Sequence, residues 1–383
     1  MIPVNEPLLD GNELIYLEEC IRTGWISSEG PFVERFEASM AAVTGRKHAI
    51  AVTNGTAALE AAVAALQFQP GDQIVLPTFT IISCVAAVLR NNCTPLFVDN
   101  DPVTWNMDTA KLVELVEDEI MRKGNCKLKA IMVVHTYGLP VDMEPVLELA
   151  SRFGLKIIED AAEAHGQTFN NRPCGSFGEI STFSFYPNKH ITTGEGGMLL
   201  TDDNNLATRC KGLRNLFFQA GKRFVHEELG YNLRMTNLQA AIGVAQLERL
   251  DEFTAHKRMM GKRYTDRLAE CEVLELPLGR TGFAENIYWV YGIVLKDELD
   301  CDAETMMKRL GKRGVGTRPF FWPMHEQPVL ARMGINASGS YPVAERLARR
   351  GFYLPSGMAL GVEQIDKVAS VLLEELELLR WRG

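Results

Sequence analysis

Lys189 ends an apolar, aromatic run, Thr182-Phe-Ser-Phe-Tyr-Pro-Asn-Lys189. A glycine-rich turn, Gly194-Glu-Gly-Gly197, then leads into a second apolar run, Met198–Thr201. A strand that stops by presenting one amine suits nucleophilic and proton-transfer chemistry. Lysines are ordinarily solvated surface residues, but no polar helical face surrounds this one. Upstream, Lys156-Ile-Ile-Glu-Asp160 reads as a short buried strand ending in an acid. Such an acid points into the crevice outside a parallel sheet, although a plain N-cap for Ala161–Ala164 would read the same. Further upstream, Val52-Thr-Asn-Gly-Thr-Ala-Ala-Leu59 is a glycine turn opening a helix. The free N–H groups and dipole of a helix N-terminus bind phosphate. Gly55 permits the tight turn and Thr56 adds a hydroxyl, though a simple βα turn has the same sequence. Phosphate cradle, acid and lysine, in that order, are the three contacts pyridoxal 5'-phosphate (PLP) requires. The acid keeps the pyridine nitrogen protonated, which makes the ring an electron sink. Ser184 can reach the same phosphate.

These residues need a scaffold. Between residues 50 and 200, short β-rich runs alternate with helical patterns. Strands are predicted at 73–76, 94–98, 130–134 and 156–158, with helices at 56–66, 82–89, 109–116 and 145–153. That alternation implies βαβ units and an α/β fold, with a mainly parallel sheet covered on both faces. From Asn237 to about Glu270, apolar residues recur at helical spacing, which predicts two long helices. Beyond them, 287–295 reads as a strand, 303–312 as a helix, Arg318–Pro323 as a rigid loop and 364–380 as a terminal amphipathic helix. The expected organisation is a large cofactor-binding domain over 14–250 and a smaller α+β domain over 251–383. Residues 1–13 are expected to lie against the smaller domain.

Composition narrows the function further. The net charge of -9 argues against a nucleic-acid or anionic-membrane partner, which needs a basic footprint. The cysteines form no Cys-x-x-Cys pair and share no ligand spacing with the histidines, so no metal site is expected. Free, scattered cysteines suit a reducing cytosol. The N-terminus lacks the basic and apolar regions of a signal peptide, so a cytoplasmic location is expected.

Taken together, several motifs carry a specific likeness. They are Thr23-Gly-Trp-Ile-Ser-Ser28, Asn54-Gly-Thr56, Glu159-Asp-Ala-Ala-Glu163, Ser184-Phe-Tyr-Pro-Asn-Lys189, Gly194-Glu-Gly-Gly197 and Gly230-Tyr-Asn-Leu-Arg-Met-Thr-Asn237. Over nearly its whole length the chain resembles the DegT/DnrJ/EryC1/StrS sugar aminotransferases, which have the fold-type I architecture of aspartate aminotransferase. The resemblance implies that Gly55, Thr56 and Ser184 hold the phosphate of PLP. It implies that Asp160 pairs with the pyridine nitrogen and that Glu163, at a place often Gln, lies beside the ring and its 3-oxygen. Lys189 would be the imine lysine and proton shuttle as the cofactor cycles to pyridoxamine phosphate. Asn232 would reach the phosphate of a neighbouring subunit in a homodimer with shared sites, which could pair further into a tetramer. The family usually stacks an aromatic residue on the ring. Here that position is Ile81, which either packs there itself or leaves the role to Phe79.

A 3-dehydratase branch of the family carries His where aminotransferases carry Lys, and Tyr186-Pro187 and His190 resemble that branch. Lys189 separates the two, because histidine cannot form the imine. Trp25–Ser28, Thr192–Gly197, Met235–Asn237 and the Arg318–His325 loop look most like the branch that aminates GDP-4-keto-6-deoxymannose with glutamate as donor. A UDP- or dTDP-linked keto-sugar is the alternative substrate, and a non-enzymatic regulator that keeps the fold is a more distant one. Trp25, His325 and Arg318 are the candidate substrate contacts. Arg318 or Arg234 could receive a glutamate carboxylate as a bidentate fork. Lys222, Arg223 and Arg318 could supply a basic pocket for the diphosphate.

Overall fold

The structure is a computed structural model that describes every residue except 125, 219–220, 223, 336–338 and 381–383. Seven strands form the central sheet: β1 (His48–Val52), β2 (Gln73–Pro77), β3 (Thr94–Val98), β4 (Leu128–Val134), β5 (Lys156–Asp160), β6 (Ile180–Ser184) and β7 (Gly197–Thr201). Their spatial order is β1-β7-β6-β5-β4-β2-β3. The pairs from β6 through to β3 are parallel, while β7 is antiparallel to both β6 and β1.

Strands β2 and β4 read as near-continuous apolar runs because both their faces are covered. Along β2, Ile74 and Leu76 face one core and Val75 the other. Along β4, Ala130, Met132 and Val134 join the first core, Ile131 and Val133 the second. Helices α1 (Glu13–Thr23), α2 (Pro31–Thr44), α3 (Gly55–Ala65), α4 (Ile82–Arg90), α5 (Thr109–Glu117), α6 (Met143–Phe153) and α7 (Asn204–Arg214) flank the sheet. Each strand and helix predicted between 50 and 200 is present, shifted by at most two residues at an end.

The predicted helical pair is α8 (Asn237–Leu247) and α9 (Leu250–Leu268). Thr236 starts α8 with a capping box in which Gln239 reciprocates. Helix α9 crosses between cores. Leu250 and Phe253 pack with α2 and α8, whereas Met260, Tyr264 and Leu268 pack in a C-terminal core with Ile293, Phe352 and the terminal helix Val362–Arg380. The C-terminal sheet has four strands: β8 (Leu274–Glu275), β9 (Tyr291–Leu295), β10 (Arg318–Pro319) and β11 (Gly351–Leu354), ordered β8-β9-β11-β10.

Two expectations change here. The strand read over 287–295 begins only at Tyr291, because 287–290 lies against the turn after β4, where Ile287 N donates to Gly138 O, with Tyr288 at positive φ. Arg318-Pro319 is the edge strand β10 and not part of a loop, which proline tolerates because an edge needs no N–H there. The N-terminal segment adds a bridge from Ile2 to Val315, and Ser356 N donates to Val4 O.

Candidate active site

A cavity of about 730 Å³ opens at the C-terminal ends of the parallel strands, the usual ligand position in such sheets. Gly55, Thr56, Ile81, Asp160, Glu163, Ser184 and Lys189 all line it. Two helix N-termini converge on it. Asn54 caps α3 by accepting from Ala57 N at 2.8 Å, which leaves the first N–H groups of Gly55 and Thr56 without intrahelical acceptors. Ser184, at the end of β6, lies so close that a Cβ on Gly55 would sit 2.7 Å from its own Cβ. Glycine is therefore required where α3 meets β6. Thr56 Oγ1 lies 2.8 Å from the Oγ of Ser83 in the first turn of α4, a second hydroxyl that sequence reasoning missed.

At the back of the cavity, Asp160 Oδ1 accepts from Ala162 N at 3.0 Å, and the buried Cys84 thiol donates to Oδ2 at 3.3 Å. Burial pushes the Asp160 carboxyl up, and among the described residues no cation touches it. A protonated ring nitrogen beside it would supply the missing opposite charge. Glu163 Oε2 accepts from Tyr137 N at 2.9 Å, and its Oε1 lies 3.5 Å from Lys189 Nζ. Burial lifts Glu163 to about 7, against the opposing pull of the Lys189 cation. Burial likewise lowers Lys189 below the ordinary lysine range, while Glu163 and Asp160 oppose the shift. The Trp289 ring covers the amine, with its centroid 3.7 Å from Nζ.

The residues fit PLP. They provide two helix N-termini with three hydroxyls for a phosphate, a buried carboxylate for a ring nitrogen and a buried amine for a carbonyl carbon. Thr182 and Asn188 line the cavity as well, with Thr182 Oγ1 and Asn188 Oδ1 buried and without a hydrogen-bond partner among the described residues. Ile81, at the N-cap of α4, faces the cavity with 45% of its surface exposed, whereas Phe79 is fully buried against Tyr137, Phe320 and Phe321. Of the two residues, Ile81 lines the cavity and Phe79 does not.

The expected outer residues are placed differently. Trp25 is half-exposed and outside the cavity lining, and its carbonyl accepts from Asn237 Nδ2 at 2.8 Å. His325 also lies outside the lining. Its Nδ1 is 2.7 Å from Thr78 Oγ1, its Nε2 is 3.3 Å from Glu345, and its ring packs on Tyr341, so both nitrogens are engaged within the chain. Arg318 is exposed on β10, in register with the cavity residue Tyr353, and forms no ion pair among the described residues. Arg234 donates to Asn215 Oδ1 at 2.7 Å. Asn232 is exposed and does not line the cavity of its own chain. Arg223 lies outside the described residues. Sequence reasoning missed Ser83, Cys84, Trp289, Phe321 and Tyr353. Ser83 alone left a signal, as a hydroxyl residue in the first turn of a helix after a strand.

Residues 7–373 match the model of the DegT/DnrJ/EryC1/StrS aminotransferase family. The chain belongs to that family. It is a PLP-dependent sugar aminotransferase with the fold-type I architecture. It is 42% identical over 373 residues to a GDP-perosamine synthase of Caulobacter vibrioides, covering 97% of each chain. It is 38% identical to a GDP-perosamine synthase of Vibrio cholerae, covering 97% of this chain and 98% of that one. Among solved structures, the aminotransferase TlmJ of Streptoalloteichus hindustanus superposes with a TM-score of 0.90 at 29% identity, covering 99% of this chain and 100% of that one. Among the described residues no helix is long and apolar enough to cross a membrane.

Proposed function

We propose that the chain moves an amino group from glutamate to GDP-4-keto-6-deoxymannose, forming GDP-perosamine. The observation that carries the chemistry is the buried Lys189 amine, 3.5 Å from Glu163 in the cavity that Asp160 closes at the back. The relatives named GDP-perosamine synthase, 38–42% identical over nearly the full chain, support the substrate.

Bound in this cavity, PLP supplies an electron sink next to the bond that must break. In this reading the α3 and α4 N-termini, with Thr56, Ser83 and Ser184, hold the phosphate and fix the register of the ring. Asp160 holds a proton on the ring nitrogen, and the Cys84 thiol fixes the rotamer of its carboxyl. Ile81 and Ala162 line the cavity that would receive the ring. Lys189 takes a proton from the donor's α-carbon and later returns one to the former keto carbon. Its depressed basicity keeps a neutral fraction available for that work. Glu163 anchors the amine between transfers.

The active unit is a homodimer with shared sites. Asn232 is exposed and outside its own chain's cavity, which suits service to the partner's phosphate. Arg318, beside Tyr353 and without an ion pair among the described residues, is the candidate receptor for an anionic group of donor or nucleotide. Specificity is a difference in transition-state binding, and a base contact left unpaired by the wrong nucleotide separates substrates strongly. The test is the specificity constant for GDP-, UDP- and dTDP-linked 4-keto-6-deoxy sugars at equal glutamate. The GDP sugar should be highest. A higher constant for a UDP or dTDP sugar would overturn the substrate but leave the aminotransferase reading in place.

A further inference from the structure

Lys257 is a lysine where chemistry discourages one. It lies on α9, is 1% exposed, and no carboxylate contacts it among the described residues. Its Nζ donates instead to two backbone carbonyls, Trp289 O at 2.9 Å and Ser356 O. Burial alone lowers it to about 7. An ammonium taken out of water and given only carbonyl partners costs stability unless its bonds do something a methionine could not.

Those two carbonyls belong to the segments that wall the Lys189 side of the cavity. Trp289 N would lie 2.6 Å from a Cβ on Gly138, which stands at φ +99, so the 287–290 segment sits directly on the turn after β4. The Trp289 indole N–H donates to Asn188 O at 2.7 Å, one residue from the reactive lysine. Its ring packs near Tyr137 and Tyr353, with centroids at 5.8 and 6.3 Å, and its face covers Lys189 Nζ. On the other side, Ser356 Oγ accepts from Tyr291 N at 2.9 Å, so the second carbonyl is tied into β9 as well.

We infer that Lys257 is a positioning residue: its two hydrogen bonds clamp the 287–290 segment so that the Trp289 ring stays over the Lys189 amine. Through that ring Lys257 holds Lys189 in a fixed rotamer and stabilises its protonated form by a cation–π contact. The inference rests on Lys189 being the reacting amine.

The sign of one measurable quantity separates this role from its competitors. Loss of the aromatic face removes a stabiliser of the cation, so the pKa of Lys189 should fall. Loss of the Lys257 charge acting only through space removes a repelling cation, so the pKa should rise. A purely structural Lys257 would lower the melting temperature and leave the pKa where it was.

The experiment is competitive acetylation of Lys189 across pH in the full-length, cofactor-free protein, read by peptide mass spectrometry. Lys257→Met and Trp289→Leu should each lower the Lys189 pKa by roughly one unit, the size of a desolvated cation–π contact. The double variant should fall no further than either single one, since both act through one ring. An unchanged or raised pKa in Lys257→Met overturns the inference, as does an unchanged pKa in Trp289→Leu. If Lys257→Met does not fold, Lys257→Gln is read by the same criteria. Because the readout is an amine pKa and not turnover, its failure is distinct from failure of the aminotransferase reading, which Lys189→Ala tests.

Discussion

Glu163 offers a prediction whose size can be worked from the cavity. Its carboxyl rises from the ordinary 4.5 to about 7 because burial penalises its charged form more than Lys189 restores it. Between those two values the folded cofactor-free protein binds more protons than the unfolded chain, so stability falls as pH rises. The contribution of Glu163 is fully present below about pH 4.5 and is lost as pH climbs through 7. Integrating that linkage from pH 5 to pH 8 gives a loss of about 2.5 kcal/mol. Glu163→Gln keeps the shape and an acceptor for Tyr137 N but cannot titrate. Urea unfolding of both cofactor-free proteins at pH 5 and pH 8, at one protomer concentration, compares them; titrations uncoupled to Glu163 cancel in the difference, and the Lys189 pKa, lower in the variant without the carboxylate, shifts the difference in the same direction. The wild type should lose about 2.5 kcal/mol more than the variant over that interval. Parallel profiles would show that Glu163 is not held in an environment that resists its charge. The placement of its carboxyl beside Lys189 would then be wrong.

Asp160→Asn should fold and retain most of its PLP while its rate falls by roughly a hundredfold or more, the scale of losing one preorganised electrostatic partner; a loss no larger than that of a distant surface acid would make Asp160 only a cap. Gly55→Ala should weaken PLP binding measured by equilibrium dialysis, since the new Cβ meets Ser184 at 2.7 Å; unchanged affinity would move the phosphate elsewhere. Mixing inactive Lys189→Ala with impaired Asn232→Ala chains should regenerate activity through hybrid dimers with one intact site, and no recovery despite demonstrated subunit exchange would argue for a site built from one chain.

The central strands were legible because burial on both faces gives them short apolar runs bounded by turns, as at 74–76 and 130–134. Asp160 and Thr56 were legible for a related reason, one standing where a strand ends and the other where a helix begins, whereas Lys189 lies in the turn that follows the end of β6 at Ser184. The rest of the site depends on packing between distant segments. Trp289 meets the Lys189 loop across 101 residues, and nothing local in Ile287–Leu295 distinguishes a ring aimed at an amine from a core aromatic. His325 looked like a substrate contact in its Arg/aromatic/Pro loop, yet Thr78, 247 residues away, takes one of its ring nitrogens. Cys84 resembled the other buried cysteines in sequence, and only the approach of α4 to β5 sets its thiol on Asp160.

The most direct test of the account follows the nitrogen itself. The protein loaded with PLP is incubated with ¹⁵N-glutamate and GDP-4-keto-6-deoxymannose, and the nucleotide sugar is analysed by mass spectrometry. The wild type should yield a GDP-linked amino sugar carrying ¹⁵N together with 2-oxoglutarate, and Lys189→Ala should yield neither above background while remaining folded. A labelled product at near wild-type rate from Lys189→Ala, or a deoxygenated sugar without ¹⁵N from the wild type, would contradict the account.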